Sequence, residues 1–90
     1  MKLIEALVVA QQEYGIYQWW RIQHTDGARI DRTGCDGGWY YSYDPSGTLI
    51  SQAQGTLETV IARLAEKYPD VVLSKGWKVT YHPEKMNAPA

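Results

Sequence analysis

Cys35, His24, His82 and a scatter of Asp and Glu are the side chains of this 90-residue chain with reactive chemistry to offer. A nucleophilic thiol needs a cation, a helix N-terminus or a histidine to draw its pKa down. Cys35 instead has Asp36 beside it and no histidine near it in sequence, which pushes the other way. A metal centre needs converging ligands, and one Cys with two His, none at HxxxH or CxxC spacing, does not supply them. Gly34, Gly37 and Gly38 match neither the P-loop nor the GxGxxG spacing, and they precede a strand-like stretch where both motifs require a helix. Asp26, Asp31, Asp36 and Asp44 fall in or beside turns, where Asp bonds its own backbone instead of pairing for acid-base work. The expectation is a non-enzymatic chain without cofactor or metal.

The string Gly34-Cys35-Asp36-Gly37-Gly38 resembles a GCxGG segment of papain-like cysteine proteases. In that family the segment's cysteine is a disulfide partner. The family's CGSCW-type nucleophile motif is missing here, and ninety residues cannot hold that fold, so the resemblance implies no protease activity.

Binding chemistry is better represented. Four Trp and seven Tyr stand against no Phe, and every one of these rings carries a polar handle suited to half-wet surfaces. With 44% hydrophobic and 21% charged residues the chain has an ordinary globular composition, enough for one core that removes roughly 60 to 65% of the unfolded surface from water. The net charge of -1 provides no overall field toward nucleic acid or an anionic membrane. A single cysteine fits a reducing, cytoplasmic compartment, and Glu5 interrupts the apolar start MKLIEALVVA that would otherwise read as a short signal peptide. No stretch approaches the roughly 20 apolar residues of a membrane span.

The elements that must position these rings follow from periodicity. Leu3, Leu7, Gln11 and Tyr14 have helical spacing, predicting a first helix over Lys2 to Tyr14 with Gly15 as its stop. Ile16 to His24 and Ala28 to Thr33 read as a hairpin. A three-residue loop, Thr25 to Gly27, sets Ile22 opposite Ile30 and Arg21 opposite Asp31, pairing like with like and ion with counter-ion, whereas a two-residue loop pairs Ile22 with Asp31. Gly38 to Tyr43 alternates as a third strand, and Asp44-Pro45-Ser46-Gly47 turns it into a fourth, Thr48 to Ala53, with Tyr43 opposite Leu49, Tyr41 opposite Ser51 and Trp39 opposite Ala53. Leu57, Val60, Ile61, Leu64, Ala65 and Tyr68 define a second helix capped by Thr56 and stopped by Pro69. Val71 to Leu73 and Trp77 to Tyr81 read as a final strand or hairpin, with Trp77, Val79 and Tyr81 inward.

The order α-β-β-β-β-α-β describes an α+β domain over residues 1–82, an antiparallel meander of four or five strands with two helices, followed by a polar tail at 83–90. In the chosen register one side of the first hairpin shows Trp20, Ile22, Ala28 and Ile30, a core face. The other side shows Tyr17, Trp19, Arg21 and Gln23 beside Arg29 and Asp31. Rings interleaved with arginine suit stacking on a partner's side chains. The expected function is therefore a non-catalytic interaction module that binds a protein partner, a second copy included, through Tyr17, Trp19, Arg21, Arg29 and, if the third strand shares the face, Tyr40. The three-stranded meander that contains GGWYYSYDPSGTLI and is followed by a helix also resembles the arm-type DNA-binding domains at the N-termini of tyrosine recombinases. That resemblance implies a sheet docked in the major groove with Arg21, Arg29, Arg32, Lys75 and Lys78 on phosphates. A third reading is a small-ligand pocket completed by dimerisation.

Overall fold

A computed structural model describes residues 1–14, 19–33 and 38–80. The predicted stop at Gly15, the candidate Tyr17, the thiol of Cys35, the inward Tyr81, His82 and the tail lie outside the described residues.

Helix α1 (Leu3–Tyr14) leads into strands β1 (Trp20–His24), β2 (Arg29–Thr33), β3 (Trp39–Tyr43) and β4 (Leu49–Gln54). Helices α2 (Leu57–Lys67) and α3 (Pro69–Leu73) follow, and β5 (Trp77–Val79) completes a five-stranded antiparallel sheet in the order β4-β3-β2-β1-β5. The α+β class and the single antiparallel sheet are as the sequence predicts.

Alternation of side chains divides this sheet into two faces, and the divider is the β1–β2 register. Ile22 stands opposite Ile30 and Arg21 opposite Asp31, the pairing produced by the three-residue loop. Trp20 and Ile22 are sealed at 1% and 0% exposure, with Ile30 and Ala28 beside them. Against this face lie Leu3, Ala6, Leu7 and Ala10 of α1, Val60 and Leu64 of α2, and Trp77 of β5, forming one core. The α1 stripe is 3, 6, 7, 10, so Ile4 and Val8 point outward and stay exposed. Burying each large aliphatic side chain stabilises by about 1.5 to 3 kcal/mol, so this layer holds the helices to the sheet. Among the described residues both long helices cover the same face and none covers the other.

Three local expectations need correction. Val71–Leu73 is not strand: Pro69 occupies the first turn of a new short helix, where its fixed φ suits helical backbone, and the Val71 carbonyl accepts from Trp77 Nε1 at 3.0 Å. Thr56 holds the cap position of α2, but its hydroxyl donates to the Gln54 carbonyl at 3.1 Å and leaves the helix amides alone. The β3–β4 register begins as expected with Tyr43 opposite Leu49, then shifts: Ser42 pairs with Ser51, Tyr41 with Gln52, Tyr40 with Ala53 and Trp39 with Gln54. Ile50 is the extra residue of this bulge. Without it, Gln52 would stand opposite Tyr40 on the covered face; stranding a buried amide costs about 1 to 3 kcal/mol, while the bulge puts Ala53 there instead.

The two hairpin turns meet at one end of the sheet. Asp44 organises its own, Oδ1 accepting from the Ser46 hydroxyl at 2.6 Å and from the amides of Ser46 and Thr48 at 2.9 and 3.0 Å. The Ser46 hydroxyl and then the Thr48 amide hold this carboxyl below its ordinary pKa. Gly27 of the β1–β2 turn has φ 111°, and a Cβ there would come within 2.6 Å of the Pro45 carbonyl oxygen. Gly47 has φ 88° with open space around it. Gly27→Ala is therefore expected to lose about 1 to 3 kcal/mol of stability in urea unfolding, and more than Gly47→Ala, whose cost is backbone conformation alone.

Candidate binding face

The uncovered face is built in rows that run across the strands. Gln23, Arg29, Tyr43 and Leu49 make one row, Arg21, Asp31, Tyr41 and Gln52 the next, and Thr33, Trp39 and Gln54 the last, with Lys78 beside Gln23. Period-two spacing in Trp39–Tyr43 delivers the three rings of β3 to this one side.

At its centre is a carboxylate shared by two guanidinium groups. Arg21 grips Asp31 with both arms, Nε to Oδ1 at 2.7 Å and Nη2 to Oδ2 at 2.9 Å. Arg29 Nε lies 3.4 Å from Oδ2. Asp31 itself is 4% exposed, so the attraction acts away from bulk water and the planar groups are held in place. Arg29 then lays its Cζ 3.9 Å from the centre of the Tyr43 ring, and Trp39 stacks on Tyr41 with centroids 6.4 Å apart and planes at 27°. Each such contact contributes on the order of 0.5 to 1 kcal/mol, and together they fix a Trp-Tyr-Tyr-Arg surface before any partner arrives.

Of the residues singled out in the sequence, Arg21 and Arg29 meet here through Asp31. Trp19 immediately precedes β1 and is half-buried, while its neighbour Trp20 is sealed. Tyr17 lies outside the described residues. Tyr40 moves to the other side: it pairs with Arg32 and Ala53 and packs against the core, its hydroxyl accepting from Arg32 Nε at 3.2 Å. Parity is the reason, since the β2–β3 register that puts Tyr40 beside Arg32 puts Trp39, Tyr41 and Tyr43 beside Thr33, Asp31 and Arg29. Those three rings were missed as site residues although their alternation was visible. What hid their side was the β2–β3 register, set across the glycine-rich connection.

A second polar cluster also escaped the sequence. His24 Nδ1 stands 2.8 Å from Asp26 Oδ1, and Nε2 stands 2.7 Å from Ser74 Oγ and 2.9 Å from the Lys75 carbonyl. The connectivity resembles that of a Ser-His-Asp relay, but Nε2 also faces a backbone carbonyl. The Lys75 carbonyl has no hydrogen to give, so it competes with the serine for Nε2: its contact is a hydrogen bond only when that nitrogen carries the proton, whereas a general base toward serine needs a lone pair there. The Ser74 hydroxyl is directed to the Val71 carbonyl at 2.9 Å. With the ring edge-on to Trp77 at 5.2 Å, His24 clasps the α3–β5 loop to the β1–β2 turn. Among the described residues no group of three or more His, Cys, Asp or Glu is placed to hold a metal ion.

Compared with known protein families, curated proteins and solved structures, the chain shows no match.

Two outcomes follow from the geometry. Asp31→Asn, which leaves Arg21 and Arg29 without their shared counter-charge, should destabilise the fold by about 3 kcal/mol in chemical unfolding. Ser74, whose hydroxyl is directed to the Val71 carbonyl, should remain unlabelled by a fluorophosphonate probe under conditions that fully label a serine hydrolase, as read by intact mass.

Proposed function

We propose that the chain is a non-catalytic binding module whose uncovered sheet face docks a protein partner. The observation that carries this is the Arg21–Asp31–Arg29 cluster beside the Trp39–Tyr41 stack and the Arg29-covered Tyr43. Trp, Tyr and Arg are the residues that dominate protein docking energetics, and here they are ordered in advance, so little side-chain entropy remains to be lost on association.

The same cluster weighs against a nucleic-acid surface. Two of the face's arginines share one carboxylate, and Arg32 sits on the covered side, 6% exposed, with Nη1 on the Thr33 carbonyl at 3.0 Å. The five cations expected on phosphates thus do not share a surface. Few phosphate contacts mean little counterion release and weak electrostatic affinity. Among the described residues no helix is long and apolar enough to cross a membrane.

The test uses the full chain as bait, with bound proteins quantified by mass spectrometry against Trp39→Ala and Tyr41→Ala variants whose folding is verified by circular dichroism. A specific partner should be retained by the wild type and bind roughly 30-fold or more weakly to Trp39→Ala in titration. Equal retention by all three forms removes the sheet face as the docking site. A salt-sensitive anisotropy rise with a fluorescent oligonucleotide, lost in Arg29→Ala, replaces the protein partner by nucleic acid.

A further inference from the structure

On the side of the molecule opposite the aromatic face, the outward stripe of α1 and the end of α3 leave apolar surface in water. Ile4 is 65% exposed, Val8 45%, Met1 45% and Leu73 78%. These four are most of the large apolar side chains that stand exposed among the described residues, and they are neighbours. They surround two adjoining hollows. One, of about 330 Å³, is lined by Leu3, Ile4, Leu7, Ile61, Val72 and Leu73 with Lys2 at its rim. The other, of about 390 Å³, is lined by Met1, Ile4, Val8 and Val9 with Glu5 at its rim. A contiguous apolar patch on a small domain marks an interaction site.

We infer that this helical face is the interface of a homodimer, in which a second copy of the chain lays the same patch against the first. Three features point to a second copy. A two-fold interface must be self-complementary, and this patch carries both a projecting side chain, Leu73, and the hollow beside it that can receive Leu73 of the other copy. Its lining includes the opposite charges Lys2 and Glu5, three residues apart, so a two-fold axis passing between them would set each against its opposite on the other copy. Apart from Lys2 and Glu5 the hollows are lined by apolar residues and lack the converging polar groups that orient a small ligand.

Since α1, α2 and α3 cluster on one side of the sheet, such a dimer is back to back. Both aromatic faces then point outward, and a dimer offers two copies of the docking surface to partners that are themselves repeated. The helical interface stands on its own observations and does not depend on what the sheet face binds.

Sedimentation equilibrium and light scattering on the full chain test it. The wild type should give twice the 10.2 kDa chain mass across micromolar to submillimolar concentrations. Leu73→Glu and Ile4→Glu, both at exposed positions where a charge is tolerated by the monomer, should each raise the dimer dissociation constant roughly 10-fold or more and keep the helical circular dichroism. Tyr41→Ser on the sheet face should leave the mass unchanged. A monomeric wild type overturns the inference, whether the patch then proves to hold a lipid surface or a foreign helix. So does a dimer indifferent to both glutamates, or one that Tyr41→Ser dissociates; this last result would leave the sheet face as an interface and remove the helical one.

Discussion

The pairing of Trp20–His24 with Arg29–Thr33 distributes everything else in this molecule. Adjacent side chains on a strand go to opposite faces, so a shift of one residue would exchange Ile22 and Ile30 for Arg21 and Asp31 against the helices. Both faces resist that shift. On one side the two isoleucines and Trp20 are sealed beneath α1 and α2. On the other, Arg21 makes its two short bonds to a carboxylate only when Asp31 is directly opposite. Hydrophobic burial and a partly desolvated ion pair thus select the same register, which is how a ninety-residue chain with a thin core keeps one arrangement.

That choice also gives the sheet two unlike surfaces. Beneath the helices the rings are packing elements: Trp20 lies near Tyr40, 6.1 Å between centroids, and Tyr40 accepts from buried Arg32. On the uncovered face the rings of β3 are half-buried and arginine lies over one of them. A chain so rich in Trp and Tyr and lacking Phe distributes polar-tipped rings to both sides of the sheet. His24 adds a tie between distant segments, joining the β1–β2 turn to the α3–β5 loop through Ser74 and the Lys75 carbonyl.

Much of the fold was legible because local signals agreed with one another. The α2 stripe, the Asp44 turn and the Thr25–Gly27 loop each left one reading open. Errors arose where two local signals competed. Pro69 stops one helix and equally well starts another, and the β-branched Val71 and Val72 favoured strand until Tyr68 and Trp77 fixed the chain's path. At Ile50 the alternation pattern was sound, but the sheet inserted one residue to keep Gln52 and Gln54 out of the core.

By itself, the sequence determined the order of the elements other than α3, the first hairpin's register and the sorting of Trp20 from Arg21, because those follow from neighbours within a few residues along the chain. Tertiary structure alone decided which side Tyr40 takes, that both helices cover one face, and that Ile4, Val8 and Leu73 are left outside. Those outcomes depend on contacts between segments far apart in the chain, Arg32 with Tyr40 across a connection and α1 with β5 across most of its length, where no local pattern reports which face a neighbour will cover.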